Sequence, residues 1–597
     1  MRWYIAPMEY KQRTVTCGQL RKSDANKKVV LNGWVHRIRN HGAIHFINLR
    51  DRYGITQVVV GDNASKELEQ IASSLHSEYC VSVEGIVHQR PDEMINKEMA
   101  TGEIEVEVTS IEILSTCETP PFVISDESDA KEDTRLRYRY LDLRSTGMQK
   151  RIALRHNFIK AIREFLWERD FYEIETPTLI RSTPEGARDF LVPSRHYPGK
   201  FYALPQSPQL LKQLLMVGGY DKYFQIARCY RDEDARGDRQ LEFTQLDMEL
   251  SFVKRDEVLL LMEQLFNYTF KQTLNVDLPE KFRRLSWFEA LDTYGVDKPD
   301  LRYDVKLVDV AELANQSDFK TFKDILANGG SIKGLKVPFS DDVAFSRRYI
   351  QELEESAKVY GAKGLAWMKV ASSTTLEGGV AKFFENLHQD FIEKFDAKEG
   401  DMLVFVADSW KTTCASLGAV RTKVAKDLKL YDESEFAFCW IIDFPLFEYN
   451  EDENHWEAAH HMFSMPQGQY IDKLEEDPGS VKGDLYDLVL NGYEVASGSI
   501  RIHDAELQKR IFRICNISDE ESEKRFGFFL NALKYGPPPH GGIAPGIDRI
   551  VMIMAQQSSI KEVIAFPKNS AAISPMDDAP SLVDQKQLDE LHLIIKQ

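Results

Sequence analysis

The run Cys229-Tyr230-Arg231-Asp232-Glu233-Asp234 is followed by Gln240-Leu241-Glu242-Phe243-Thr244-Gln245-Leu246-Asp247, so a loop dense in charge sits between two apolar strands. A nucleotide phosphate needs a fixed cation, and Arg231 offers a planar fork suited to phosphate oxygens. Glu233, two residues along, shares one side of an extended chain and can accept from an adenine amino group. A salt-bridged hairpin without a ligand accounts for the same residues. Near the C-terminus, Gly541-Gly542-Ile543-Ala544-Pro545-Gly546-Ile547-Asp548-Arg549 brings small residues to the start of an apolar helix. Such residues let backbone approach a ligand closely. Arg549 can reach a terminal phosphate from there. The alternative is a glycine-rich turn with a capping Asp548.

Asp487, Glu494 and Arg501 form a third group. The two acids suit Mg²⁺, which takes one or two carboxylates plus substrate phosphates. Arg501 lies in an apolar strand, where an unpaired charge is expensive, so it requires a carboxylate from the protein or from a substrate. A fourth group spans Ser182–Asp189 and Pro205–Lys212 and offers a carboxylate (Glu185), amides (Gln206, Gln209) and one ammonium (Lys212). His460-His461 adds a polar pair of a kind more often structural than catalytic.

These groups need elements to position them. Residues 14–115 read as short strands: Ile44–Asp51, Gly54–Val60, Cys80–Glu84 and Ile104–Val108 all fit, with a turn at Asp51–Gly54. About five short strands in roughly 100 residues suggest a small barrel such as an OB-fold, which commonly binds single-stranded nucleic acid. The acidic stretch Ser125–Asp133 reads as a linker. Helical spacing of Ile152, Phe158, Ile159, Ile162, Phe165 and Leu166 predicts a helix ending near Asp170, then a strand Phe171–Glu175. Residues 300–430 carry shorter runs and glycine pairs and read as an inserted domain. Long apolar strands resume at Phe436–Phe447 and Leu485–His503.

The net charge of −19 argues against a protein that coats nucleic acid. Residues 1–60, however, hold eleven Lys/Arg against three Asp/Glu. An acidic body with a basic end suits docking of a polyanion at one place, and equally a solvated basic face. No apolar run approaches the roughly 20 residues of a membrane helix. The start lacks the apolar core of a signal peptide. The seven cysteines form no C-x-x-C pair, so a cytoplasmic protein without structural zinc or disulfides is expected.

Taken together, the motifs resemble the three signatures of class II aminoacyl-tRNA synthetases. The helix, strand and Pro177 resemble motif 1, Arg231-Asp232-Glu233 with its loop motif 2, and Gly546-Ile547-Asp548-Arg549 motif 3. Thr183–Asp189, Gln206–Lys212, Gly492–Val495 with Arg501, and Ala565-Phe566-Pro567-Lys568 resemble the bacterial-type aspartyl-tRNA synthetases. The resemblance runs over residues 8–585. It implies a multidomain α+β chain: an OB-fold anticodon-binding β-barrel (1–120), a hinge (121–150), an antiparallel-sheet catalytic domain in two parts (151–300 and 431–585), an inserted α+β domain (301–430) and a tail (586–597). A Rossmann fold is disfavoured, because no Gly-x-Gly-x-x-Gly follows a strand near the start.

The resemblance also implies roles. Arg231, Glu233 and Arg549 would carry catalysis. Arg231, Asp232, Glu233, Gln240, Glu494, Gly546, Ile547, Asp548 and Arg549 would bind ATP, and Asp487 with Glu494 would hold Mg²⁺. Glu185, Ser207, Gln209, Leu210, Leu211, Lys212, Arg231, Asp247, His460 and Arg501 would form the L-aspartate site, and Gln245 would lie where the tRNA 3′ end enters. Arg39, His41, Phe46 and Gln57 would contact the anticodon, although Phe46 also suits barrel core. Family members with histidine at the position of His41, in place of leucine, tend to charge both tRNA(Asp) and tRNA(Asn). A homodimer is implied as well. Met462 and Pro545 depart from the family pattern without removing a charged ligand. Two rivals remain: a strictly discriminating tRNA(Asp) enzyme, and a non-enzymatic synthetase-like tRNA-binding protein.

Overall fold

The computed structural model describes residues 10–596 except 184, 185, 342 and 344. Glu185 therefore lies outside the described residues. The chain divides into two compact units. One holds the residues up to 153 with 565–569 and 573–581; the other holds 154–564, 570–572 and the residues from 582.

The first unit contains the expected OB-type barrel. Strands β1 (Lys28–His41), β2 (Ile44–Asp51), β3 (Gly54–Val60), β4 (Cys80–Gln89) and β5 (Ile104–Ser115) close in the order β1-β2-β3-β5-β4. Alternation decides which face is inside: Leu31, Ile47, Val58, Val83 and Val106 fill the core. An ion pair is also buried here. Arg50 donates to both oxygens of Glu78 at 2.8 and 2.7 Å, and Arg144 adds a bond to Glu78 at 3.0 Å.

The second unit continues with β6 (Tyr172–Glu173), a hairpin of β7 (Leu191–Pro193) and β8 (Phe201–Ala203), β9 (Lys222–Tyr230), β10 (Glu242–Ser251) and β11 (Arg283–Ser286). Next come β12 (Val308–Asp309), β13 (Ser331–Val337), β14 (Ala366–Ser372), β15 (Thr375–Glu377) and β16 (Met402–Asp408). These five form a separate sheet of order β12-β13-β16-β14-β15 with apolar clusters of its own. The chain then returns through β17 (Phe438–Ile442), the hairpin of β18 (Phe447–Asn450) and β19 (His455–Ala458), β20 (Leu485–Leu490), β21 (Tyr493–Ile500) and β22 (His540–Pro545).

Eight strands make the main sheet, in the order β11-β17-β20-β21-β22-β10-β9-β6. Only the β11/β17 and β6/β9 pairs are parallel. The apolar stretch Leu485–His503 is a hairpin rather than one long strand: Asn491 and Gly492 take φ of 51° and 83° and turn β20 into β21. The helix Thr146–Trp167 ends before Asp170, whose φ is 63°. One sheet face packs Phe224, Leu246, Met248, Trp440, Leu488 and Ile543 against the helix Arg255–Leu274. On the other face, Asp247 and Glu249 of β10, Asp487 of β20 and Ser499 of β21 are buried polar residues, while Cys439, Ile441, Leu485 and Val489 pack in a second apolar cluster.

Removing one partner of a buried pair leaves the other charge uncompensated. Glu78→Ala should therefore destabilise the barrel by about 3–5 kcal/mol, read as a lower urea midpoint for the barrel transition; an unshifted midpoint would contradict the assignment of Arg50–Glu78 as a necessary pair.

Candidate active site

β10 alternates Leu246 and Met248, which face the core, with Asp247 and Glu249, both 0% exposed and on the other side. The register across β10, β22 and β21 puts Glu249 beside Gly542, and Gly542 beside Ser499. Arg501 follows two residues beyond Ser499. Above this row the helix Gln209–Val217 turns Gln209, Lys212, Gln213 and Met216 inward at helical spacing.

These elements bring four charges together out of water. Lys212 Nζ lies 3.1 Å from Asp247 and 3.3 Å from Glu249. It also donates to the Met248 carbonyl at 3.3 Å. Arg501 donates to Glu249 through Nε at 2.9 Å and Nη2 at 3.3 Å, and to Ser499 Oγ through Nη1 at 2.7 Å. Two cations meet two anions, so the cluster is neutral in itself. Burial works to raise the pKa of Glu249, but Arg501 and Lys212 outweigh it and the net shift is downward. At Asp247 burial dominates and the pKa rises despite Lys212. Arg501 thus has the protein partner that a buried guanidinium requires. A guanidinium has five N–H groups, and two remain for a ligand. Asp247 Oδ2, an acceptor, and Gln209 Nε2, a donor, are buried and make no hydrogen bond.

Glu249 and Ser499 were given no role from the sequence, and Gly542 stood there only as part of the small-residue run read as approaching a ligand. The signal for Glu249 was present: two acids two apart in an apolar strand face one side. Gly542 is required by contact. A Cβ there would lie 2.0 Å from Glu249 Oε2 and 2.2 Å from the Met248 carbonyl oxygen.

The charged loop between β9 and β10 borders a cavity of about 370 Å³ lined by Ala187, Arg188, Asp232, Glu233, Arg236 and Arg239, among others. Arg231 places its guanidinium 5.1 Å from the Phe243 ring centre and makes no ion pair with the described residues. Glu233 lies 3.4 Å from Arg239, and Asp232 lies 3.9 Å from Arg188. Gln240 is buried beside them. Asp487 holds the His460 ring through Oδ2 at 3.1 Å, while its buried Oδ1 makes no hydrogen bond. Desolvation works against a charged imidazole, but Asp487 outweighs it and raises the His460 pKa to about 9. Burial, and then Asp487, push the Glu494 pKa up. Arg549 donates to the Glu494 carbonyl and, at 3.0 Å, to Asp238.

Some named residues face elsewhere. Asp548 accepts from the Thr244 backbone at 2.7 Å and pairs with Arg155, which ties the helix Ile547–Met554 to β10. Its carboxylate is a structural tie. Ile547 is wholly buried in the apolar core, and Leu210 packs with Phe463 and Phe512. Leu211 is half-buried, and Ser207 Oγ accepts from the Gln209 backbone at 3.3 Å. Gly546 caps the Ile547–Met554 helix and is bridged to Gln245.

In the barrel, Arg39 pairs with Phe46, His41 with Ile44, Phe46 with Val59 and Asn48 with Gln57. That register puts Arg39, His41, Phe46 and Gln57 on one outer face. Phe46 is half-buried there, and the inner position next to it belongs to Ile47.

A largely antiparallel eight-stranded sheet with this polar face, on a chain that also carries an OB barrel, is the build of a class II aminoacyl-tRNA synthetase. Residues 131–570 match the family described as tRNA synthetases class II (D, K and N), and residues 29–114 match the OB-fold nucleic acid binding domain. The Aspartate--tRNA(Asp/Asn) ligase of Treponema denticola is 64% identical over 99% of this chain and 100% of its own. That of Borreliella burgdorferi is 50% identical over 98% and 99%. The chain belongs to the class II aminoacyl-tRNA synthetases, in their aspartate–tRNA ligase family. Solved structures share the fold at lower identity. Asparaginyl-tRNA synthetase from Pyrococcus horikoshii, complexed with asparaginyl-adenylate, has a TM-score of 0.57 at 19% identity over 93% of this chain and 97% of its own. Aspartyl tRNA synthetase from Entamoeba histolytica has 0.55 at 20% over 92% and 90%. No helix among the described residues is long and apolar enough to cross a membrane.

Gly542→Ala should drive Glu249 off Arg501. A misplacement of about 1 Å can cost roughly 100-fold in activity, so amino-acid activation measured by ATP–pyrophosphate exchange should fall at least that far. Activity near wild type would mean that the close approach is not needed.

Proposed function

We propose that this enzyme activates L-aspartate with ATP and transfers it to the 3′ end of tRNA. One observation carries the choice of amino acid: a neutral, buried cluster of Lys212, Asp247, Glu249 and Arg501 that still presents Asp247 Oδ2 as an acceptor and two Arg501 N–H groups as donors. The substrate ammonium pairs with Asp247. Its side-chain carboxylate accepts from Arg501, next to the Lys212 charge. Gln209, Ser207 and His460 border the pocket, with Leu210 and Leu211 as packing behind it, and Glu185 belongs to the same proposed set. Asparagine would bring a neutral amide, whose N–H groups meet the remaining Arg501 N–H donors and the Lys212 charge and find no acceptor there.

Arg231 orients the α-carboxylate against the α-phosphate of ATP. The carboxylate oxygen attacks phosphorus, a P–O bond forms, and pyrophosphate leaves with its bonding electrons. A ribose hydroxyl of the tRNA then attacks the activated carbonyl and releases AMP. Asp232, Glu233, Gln240 and the backbone from Gly546 hold the nucleotide, and Arg549 meets its far phosphate. Catalysis here is positioning and charge stabilisation. Asp487 and Glu494 fit Mg²⁺: burial and then the neighbouring Asp487 raise the Glu494 pKa, and Asp487 Oδ1 lacks a partner. A bound ion would neutralise phosphate charge at this point.

The barrel face of Arg39, His41, Phe46 and Gln57 takes the anticodon, with Phe46 stacking and Gln57 bonding to base edges. His41, exposed at the end of β1, supports a reading in which tRNA(Asn) is charged along with tRNA(Asp). We also infer a homodimer. Trp167, Tyr172, Leu179 and Tyr220 are exposed near the sheet edge formed by β6. Seven free cysteines fit a cytoplasmic setting.

Arg501→Leu should abolish aspartate-dependent pyrophosphate exchange. Exchange surviving in that variant would remove the argument for aspartate. Charging purified tRNA(Asn) with aspartate tests the second tRNA, and no charging means a discriminating enzyme.

A further inference from the structure

Arg549 and Arg239, on the side of the site read as meeting phosphate, are paired with acids of the β9–β10 loop. The loop between β9 and β10 turns tightly at Gly237-Asp238, where Arg236 and Arg239 exchange backbone hydrogen bonds at 3.0 and 3.3 Å. The Ile560 backbone N–H holds the Gly237 carbonyl at 2.9 Å. This turn delivers Asp238 to Arg549, with Oδ2 3.0 Å from Nη2. Arg549 Nη1 is fixed on the Glu494 carbonyl, and its buried Nε makes no hydrogen bond. A second pair, Arg239–Glu233 at 3.4 Å, lies on the same loop. Asp238 and Arg549 are each partly exposed, at 33% and 23%. Water and a ligand can therefore both reach the pair.

A carboxylate and a terminal phosphate present the same feature to a guanidinium: anionic oxygens that accept in its plane. They cannot share one Nη2 without bringing two negative charges together. We propose that Asp238 is an internal competitor for the far-phosphate subsite, occupying Arg549 until a nucleoside triphosphate displaces it and frees the loop tip. The proposal rests on the reading that Arg549 meets the far phosphate. It goes beyond that reading in giving Asp238 a part in nucleotide binding that opposes affinity. The exchange suits a site that must admit ATP and release pyrophosphate, because the departing anion is replaced by a tethered one. It also favours triphosphate over monophosphate less steeply than Arg549 alone would.

Equilibrium binding of Mg·ATP and of AMP to the full-length protein, without aspartate, tests this. Asp238→Asn should bind Mg·ATP about fivefold tighter, a change of about 1 kcal/mol, while AMP, which lacks the far phosphates, binds as in wild type. Asp238→Glu, which keeps the charge, should restore the wild-type ATP affinity. Unchanged AMP binding also reports that each variant retains a folded site. Equal or weaker ATP binding by Asp238→Asn would overturn the proposal, because Asp238 would then support Arg549 rather than compete for it. So would equal tightening in Asp238→Glu. Arg549→Lys separates the underlying reading: a loss of affinity for ATP but not for AMP supports it, and equal losses for both overturn it.

Discussion

The site depends on keeping four charges dry. Each ion taken out of water costs several kcal/mol, and that cost is offset only when geometry satisfies its donors and acceptors. Lys212, Asp247, Glu249 and Arg501 meet this condition with side chains from a helix and two strands. The order of the main sheet follows from it in part. β10 must lie next to β22, and β22 next to β21, so that Glu249 can reach Arg501 across a residue with no side chain. Gly542 is that residue. On the proposed reading, aspartate places its ammonium and its side-chain carboxylate in this neutral cluster and its α-carboxylate on Arg231, so the cluster stays neutral, whereas asparagine places only its ammonium there.

The nucleotide side follows different physics. Its charges lie in a loop and at a helix start and are partly exposed. Arg231 stays on the Phe243 ring, while Arg549 and Arg239 hold loop acids. Such pairs are individually weak in water. They can therefore be exchanged, whereas the buried cluster cannot. The same sheet face thus combines a buried cluster in which every charge is paired with partly exposed, individually weak pairs.

Much of this was legible in the residues. The barrel strands showed their alternation, Arg501 stood out as a charge in an apolar strand, Arg231 as a cation in a charge-dense loop, and Asp487 as one of two acids suited to Mg²⁺. Their relatedness to one another was carried by resemblance to a family rather than by spacing. What stayed hidden has a common cause. Glu249 matters because of a partner 252 positions away in the chain, and Gly542 because of the atoms packed on it. Neither relation leaves a local pattern. Asp548, named through the motif 3 resemblance, turns its carboxylate back to Arg155 and the Thr244 backbone, a pairing that no local pattern announced. The stretch Leu485–His503 read as continuous because an Asn-Gly turn interrupts its apolar pattern only briefly.

The central claim is that a neutral buried cluster selects a substrate bearing its own side-chain carboxylate. The most direct test is the ratio of kcat/KM for aspartate and asparagine in ATP–pyrophosphate exchange with the wild-type enzyme. Leaving a buried polar group unpaired supports discrimination on the order of 10⁴, and the account predicts a preference for aspartate of that size. Activation of asparagine within about tenfold of aspartate, a difference of only about 1.4 kcal/mol, would contradict it.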